Sequence, residues 1–381
     1  MQARLWLGFF VQKICVFVSV FEFLGAIYIW MEKMKKILLV LMHVVLLALC
    51  LGGCSLSDAE GEASSSERRR ASARELGSRQ KLRVANWNVQ TFFDSTTSGL
   101  EYDEFKKDGS WGQEAYTVRL ERLCQVIKAL DADVFVMEEI ENEGVMMDIS
   151  NFLAGEWDKK KVYAYGCFAK DFGGAIGCGV LSRWPVSGLT VHGVDFRKQK
   201  SDMPRMRPLM QLSVCKGSRM LTLMVNHWKS MSGGENATEK WRNLQESVLS
   251  RKVGEELALG KAVLCCGDFN RDIGKFKKGG DSGTILLREF AFGKQNDFGV
   301  EVLSPWYDFS QSLVEPGSYY FNGEWSRIDQ FFYAGDAEVE YFEAAASEPW
   351  SEGESKIPKK YKIWNGSGFS DHLPIVCEVS F

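Results

Sequence analysis

For residues 81–381 the sequence predicts an α/β (α+β) body in which β-sheet packs on β-sheet and helices lie outside. Short apolar runs rich in strand formers far outnumber the helical patterns. The stretch carries no internal linker and no repeat. At 45% hydrophobic and 25% charged residues, the chain can bury a core and is not disordered.

The strands are read in order from runs that stop at polar or turn-forming residues. They are Leu82–Val89, Val134–Met137, Val162–Cys167, Gly179–Ser182, Leu209–Val214, Leu221–Val225, Ala262–Cys266, Ile328–Phe332 and Ile375–Val379. Two stretches have helical period. Tyr116–Leu130 places Leu120, Leu123, Ile127 and Leu130 on one face, and Glu239–Leu259 does the same with Trp241, Leu244 and Val248.

Ahead of this body the chain reads as an address. Residues 1–30 form a long apolar stretch broken by Gln12, Lys13 and Glu22. It is either an extension ahead of a start at Met31 or Met34, or a membrane helix, being long enough to span. Residues 31–53 repeat the layout of a secretory signal, with Lys33, Lys35 and Lys36 before an apolar run. That run ends in Leu51-Gly52-Gly53-Cys54, which resembles the lipobox of bacterial lipoproteins. The resemblance implies lipid on Cys54, a membrane anchor and a place in the bacterial cell envelope, outside the cytoplasm. Residues 54–80 are rich in Ser, Glu, Arg and Ala, a composition that buries no core and reads as a flexible linker.

The formal charge is −4. Residues 1–53 hold Arg4, Lys13, Lys33, Lys35 and Lys36 against Glu22 and Glu32, so the remainder is more acidic still. Bulk electrostatic attraction to nucleic acid is excluded, and a phosphate-bearing substrate needs a local site or a bound cation. No Cys-x-x-Cys pair is present, which argues against a zinc ribbon or a thioredoxin-like motif. Cys265, Cys266 and Cys377 sit inside apolar runs as small core residues.

The chemistry collects where the apolar runs stop. Asn86-Trp87-Asn88 closes the first strand, Glu138-Glu139 follows the second, and Asn226-His227 follows Leu221–Val225. Gly267-Asp268-Phe269-Asn270 follows Ala262–Cys266, Asp329 lies in Ser326–Phe331, and Ser370-Asp371-His372-Leu373-Pro374 precedes the last strand. Polar groups on the ends of rigid elements are what a precise site requires. Two of the three histidines beyond residue 54, His227 and His372, fall in these places, whereas His192 does not.

In this order the segments resemble the endonuclease/exonuclease/phosphatase superfamily. The most specific are Gly267-Asp268-Phe269-Asn270 and Ser370-Asp371-His372-Leu373-Pro374-Ile375, supported by Met137–Asn142. The opening Asn88–Asp94 is similar to that of bacterial nuclease-like members, and Asn226-His227-Trp228-Lys229-Ser230 to a segment of secreted members. The resemblance implies a four-layer sandwich, two mixed sheets face to face between helical layers. It implies a hydrolase that uses Mg²⁺, with Mn²⁺ able to substitute. Glu139 is then the metal ligand, with Asn88 and Asp371 beside the metal. Asp268 orients or activates water, Asn270 holds a phosphate oxygen, His227 and His372 contact the phosphate, and Asp329 orients His372. The chemistry agrees: a divalent cation neutralises a phosphodiester, and Mg²⁺ needs only one or two carboxylates. Arg207 could clamp a phosphate with its planar fork, Asp329 could instead pair with Arg327, and Glu138 and Glu141 read as solvated neighbours. Two segments depart from the family: Gln90 stands where many members have an acid, and Gly173–Arg183 matches only loosely.

The expected activity is therefore a metal-dependent phosphodiesterase, a DNA-cleaving nuclease first. A hydrolase of sphingomyelin or inositol phosphates is the second reading, and an inactive surface binding module the third. The aromatic runs Trp306-Tyr307 and Tyr319-Tyr320-Phe321 could stack bases, touch lipid or simply pack.

Overall fold

The computed structural model describes residues 79–381 apart from 108, 110, 195–201, 281–282 and 292–293. The expectations for residues 1–30, 31–53, Cys54 and the linker lie outside the described residues, save for the linker's last two positions. Arg79 and Gln80 belong to the folded body: Gln80 exchanges backbone hydrogen bonds of 2.9 and 3.0 Å with Phe381, and Arg79 donates to the carbonyls of Asp336 and Ser380.

In chain order the strands are β1 (Lys81–Phe92), β2 (Val134–Ile140), β3 (Tyr165–Ala169), β4 (Gly177–Ser182), β5 (Val186–His192), β6 (Leu209–Lys216), β7 (Arg219–His227) and β8 (Ala262–Asp268). There follow β9 (Lys277–Lys278), β10 (Thr284–Ala291), β11 (Lys294–Leu303), β12 (Tyr319–Phe321), β13 (Glu324–Ser326), β14 (Asp329–Ala334), β15 (Glu338–Ala344) and β16 (Ile375–Ser380). The α-helices are α1 (Asp103–Lys107), α2 (Gln113–Leu130), α3 (Glu143–Glu156) and α4 (Glu235–Ala258).

One sheet has the order β15-β16-β1-β2-β4-β3 and the other β5-β6-β7-β8-β14-β11-β10-β9, while β12 and β13 form a separate hairpin. The two sheets meet through β1 and β2 against β8, β4 against β7, and β14 against β16. Helix α3 packs on β3, β4 and α2, and α4 covers β6, β8, β10 and β11. The layers are thus helix, sheet, sheet, helix, as expected. Strands covered on both faces need no alternation, and all seven residues of β8 and all six of β4 are buried.

Helix α2 buries the expected Leu120, Leu123, Ile127 and Leu130. Helix α4 keeps Trp241, Leu244 and Val248 on one face, as expected. Trp241 is buried, but Leu244 and Val248 are only half-buried, against Val194, Met203 and Met206. Its sheet-facing side holds Leu249 and Val253 together with Arg242 and Glu246, whose charges are met by Glu239, Arg271 and Arg288. All seven described cysteines are free thiols, five of them buried.

Candidate active site

The end of the six-stranded sheet supplies the first half of the site. Strands β1 and β2 run parallel, with Asn88 opposite Glu138. Both then lose register, β1 between Asn88 and Phe92 and β2 between Glu138 and Ile140. Gln90, Thr91 and Glu139 adopt φ of 55°, 50° and 68°, a left-handed region that non-glycine residues seldom enter. Bulges of this kind re-aim side chains. Glu138 consequently points into the interior and Glu139 into a cleft. The two bulges brace one another. Thr91 N–H donates to Glu139 Oε2 at 2.6 Å, and Asn88 Nδ2 to Glu139 Oε1 at 3.3 Å. Asn88 Oδ1 accepts the Gln90 N–H at 3.0 Å. From α2 the buried Arg119 donates to the carbonyls of Val89, Gln90 and Thr91, which holds the β1 bulge in place.

The eight-stranded sheet supplies the second half. Parallel pairing of β7 with β8 sets His227 beside Asp268, and antiparallel pairing of β8 with β14 sets Asp268 beside Asp329. Gly267 makes this row possible, because a Cβ there would lie 1.9 Å from the Asn226 carbonyl oxygen. Asn270 turns back at φ 47°. Its N–H and Nδ2 donate to the two oxygens of Asp268 at 2.8 and 2.9 Å. Asn88 Nδ2 reaches across from the other sheet to Asp268 Oδ2 at 3.1 Å. His227 Nε2 lies 3.6 Å from Asp268 Oδ2 and 3.7 Å from Glu139 Oε1.

His372 stands on the segment leading into β16. Trp87 Nε1 donates to its carbonyl at 2.9 Å, and the Ser370 hydroxyl links its N–H to the Asn88 carbonyl. Its Nδ1 lies 2.8 Å from Asp329 Oδ2. Arg327 pairs with Glu315, so the alternative ion pair for Asp329 does not form. These groups open into a cleft of about 650 Å³ lined by Asn88, Glu139, His227, Asp268, Asn270, Asp371 and His372, with Gln90, Tyr102, Tyr319, Phe321 and Lys360 among its walls.

Charge is distributed unevenly over the site. Burial works against the His372 imidazolium, but the charge and hydrogen bond of Asp329 outweigh it and hold His372 up at about 10. His227 is pushed well below its ordinary value by burial and by the cations Arg207, His372 and Lys229, so it is a neutral ring. Its approaches to Glu139 and Asp268 are then polar contacts rather than ion pairs. Burial pushes Asp268 up to about 7, with the His372 cation opposing and Asp329 adding.

The sequence profile of the Endonuclease/Exonuclease/phosphatase family matches residues 85–372. This chain belongs to that family. No curated protein sequence matches it significantly. Among solved structures, a truncated TDP2 of Caenorhabditis elegans is 15% identical, with 79% of this chain and 97% of that one covered and a TM-score of 0.50. An endonuclease/exonuclease/phosphatase family protein of Bacteroides thetaiotaomicron is 16% identical over 80% and 98% of the two chains, with a TM-score of 0.47. The human Nocturnin catalytic domain is 15% identical over 80% and 97%, with a TM-score of 0.47. At 15% identity the likeness to the TDP2 structure bears on the fold alone, and it agrees with the sandwich described above.

Family members hydrolyse phosphoester bonds, generally with a divalent metal, and the donors here fit a sparsely held ion. Among the described residues no cluster of three or more His, Cys, Asp or Glu side chains is gathered to enclose a metal. Mg²⁺ does not need one, since it keeps most of its waters. Glu139 Oε1 faces the cleft with a single long hydrogen bond and offers one hard oxygen. Asn88 stands beside it with its amide nitrogen turned to both carboxylates, which suits it to orienting Glu139 and Asp268. Asp371 lies on the cleft wall, paired with Lys360 at 3.2 Å.

Arg207 lies outside the lining, donating to the Trp228 carbonyl at 3.1 Å. His192 is remote, bonded to Gln211. Two expectations are corrected. Glu138 is wholly buried, and burial with the charges of Asp329 and Asp268 holds it well above the carboxylate range. Glu141 is buried too, accepting the Asp94 N–H at 2.8 Å to fix the chain after β1. The sequence reading missed Arg119, Thr91 and the clamp in which Gln90 exchanges two hydrogen bonds with the backbone of Tyr361. The helical spacing of Arg119 with Tyr116, Leu120 and Leu123 was the available signal.

Proposed function

We propose that the protein is a divalent-metal-dependent phosphodiesterase that cleaves nucleic acid, DNA first, at the bacterial cell envelope, held there by lipid on Cys54. The observation that carries the enzymatic part is the convergence of Glu139, His227, Asp268 and His372 on one cleft, with Asp329 locked to His372 at 2.8 Å. A binding module needs no such set.

The residues divide the work as follows. Glu139, oriented by Asn88, would hold the cation, which would supply positive charge for the phosphate and for the extra charge of its pentacovalent transition state. Asp268 is held at both oxygens by N–H donors of Asn270 and Asn88, which aims it at a water entering the cleft. It accepts that water's proton as the water attacks phosphorus. His372, oriented through Nδ1 by Asp329, presents Nε2–H to a phosphoryl oxygen or to the leaving oxygen. Neutral His227 offers Nε2 from the opposite wall. Asn270 holds Asp268 rather than standing free for a phosphate oxygen, since its Nδ2 is spent on Asp268 and the Trp228 carbonyl.

The test is a panel on the purified protein with Mg²⁺ and with EDTA: single- and double-stranded DNA, RNA, sphingomyelin vesicles and inositol phosphates. Metal-dependent cleavage of DNA is expected. Intact DNA beside cleaved sphingomyelin or inositol phosphate refutes the substrate and leaves the site chemistry standing.

A further inference from the structure

The aromatic run Tyr319-Tyr320-Phe321 is β12, paired antiparallel with β13 across Asn322-Gly323. Both turn residues have positive φ, 49° and 88°, as a two-residue type I′ hairpin loop demands, and Asn-Gly meets that demand with little strain. Strand alternation sets Tyr319 and Phe321 on one face. Tyr320 turns to the other, against Trp325 with ring centroids 5.1 Å apart. The hairpin is fastened to the reacting segment, because Tyr319 bridges to His372 and the Leu373 N–H donates to the Ser318 carbonyl at 2.7 Å.

Three rings therefore stand in file from the reacting centre outward. Tyr319 lies 4.8 Å from the His372 ring, and Phe321 lies 6.2 Å from Tyr319 with only 17° between their planes. Both aromatic rings line the cleft, and Phe321 is 60% exposed. A lone exposed phenyl on a surface means little. This one lies nearly parallel to Tyr319, which in turn packs at a tilt of 43° against the His372 ring.

We propose that Tyr319 and Phe321 form a stacking subsite for an unpaired nucleobase next to the scissile phosphate, so that the substrate is single-stranded. The inference rests on the nucleic-acid reading above and narrows it. A flat, fixed aromatic face attracts any base by its π-surface, without regard to sequence. Inside a duplex both faces of a base are covered by its neighbours, so only an unpaired or extruded base can lay a face on these rings. An acyl chain has no ring to place there, and aromatics that enter a bilayer would point away from the reacting groups rather than line their cleft.

The experiment compares three substrates of equal length on the full-length protein. They are a single-stranded oligodeoxynucleotide, the same strand with hydrogen in place of every base, and a blunt duplex. The base-bearing single strand should have the highest kcat/KM, exceeding the base-free strand by roughly ten-fold or more, within the range of a base–aromatic stack. Phe321→Leu keeps apolar bulk but loses the plane. It should raise KM on the base-bearing strand and bring the ratio toward one, and Phe321→Trp should restore the preference. Tyr319→Leu should act in the same direction as Phe321→Leu. Melting temperatures check that each variant is folded. Equal cleavage of base-bearing and base-free strands, proportionate losses on both in Phe321→Leu, or faster cleavage of the duplex would overturn the subsite alone. Cleavage of no strand at all, with turnover of sphingomyelin in phosphatidylcholine vesicles, would remove the nucleic-acid reading and assign the ladder to a lipid.

Discussion

Replacing Gly267 with alanine should separate catalysis from folding, because one methyl group would part the two strands that align His227 and Asp268. The ideal Cβ lies 1.9 Å from the Asn226 carbonyl oxygen and 2.7 Å from its carbon, and ordinary contact begins at 3.4 Å. Strands β7 and β8 would have to part locally by about 1.5 Å, or Gly267 would have to leave its φ of 135°, a region that costs other residues roughly 1–3 kcal/mol. Either movement carries Asp268, the next residue, off its place beside His227 and off its bonds to Asn270 and Asn88. A misplacement of about 1 Å in a reacting geometry costs on the order of 10²-fold. We therefore expect Gly267→Ala to lose at least about 100-fold in kcat and roughly 2–4 kcal/mol of stability. Steady-state kinetics on the preferred substrate and urea unfolding give the two numbers. Wild-type kcat in a folded Gly267→Ala protein would show that the His227–Asp268 row does not set the rate.

Four further outcomes are expected. EDTA should abolish cleavage and Mg²⁺ or Mn²⁺ should restore it; calorimetric titration with Mn²⁺ should show weaker binding in Glu139→Gln and near-normal binding in Glu138→Gln, and equal losses would point to the wrong carboxylate. His372→Ala should lower kcat by about 10²–10⁴-fold, Asp329→Asn should act in the same direction, and the double variant should fall well short of additivity because the pair works as one unit; additive losses would separate the two roles. Arg119→Met strips one buried and two partly buried carbonyls of their charged donor, so unfolding should show a loss of roughly 3–5 kcal/mol together with weaker Mn²⁺ binding, and a loss below about 1 kcal/mol with unchanged binding would mean that something else holds the β1 bulge. Cys54→Ala should leave an unlipidated precursor by mass spectrometry of the envelope fraction, and a mature N-terminus elsewhere without acyl groups would sink the lipid anchor.

What the sequence made legible was the set of strands whose burial is continuous. Val134–Met137, Leu221–Val225 and Ala262–Cys266 are apolar on both faces because each is covered twice, and their abrupt polar ends marked the site. Strands lying at an edge were not readable in this way. Strand β15 alternates weakly, with Glu338, Glu340 and Tyr341 exposed, and β5 is exposed along most of its length. Of its described residues, strand β10 buries only Ile285 and Leu287, although its partners β9 and β11 are its neighbours along the chain. Helix α3 buries only Val145, Met146, Ile149 and Leu153, a narrow stripe that follows directly on the Glu139–Asn142 motif. Its start was nonetheless written in Asn142, whose side chain accepts the Val145 N–H at 3.0 Å.

The choice between Glu138 and Glu139 shows where sequence reasoning stops. Two adjacent acids on a regular strand would face opposite sides, and nothing local says which faces the cleft. The answer is set by the paired bulges, and the β1 bulge persists because Arg119, some thirty residues away, satisfies its carbonyls. The same dependence on distant partners runs through the whole site. Asn88, Glu139 and His372 come from the six-stranded sheet, while His227, Asp268 and Asp329 come from the eight-stranded one. Hydrogen bonds from Asn88 to Asp268 and between His372 and Asp329 join the two halves directly, and His227 Nε2 approaches Glu139 Oε1 to 3.7 Å. The core between the sheets therefore sets the distance between the half of the cleft that carries Glu139 and His372 and the half that carries His227, Asp268 and Asp329, and a change in its packing should be felt in the rate before it is felt in the fold.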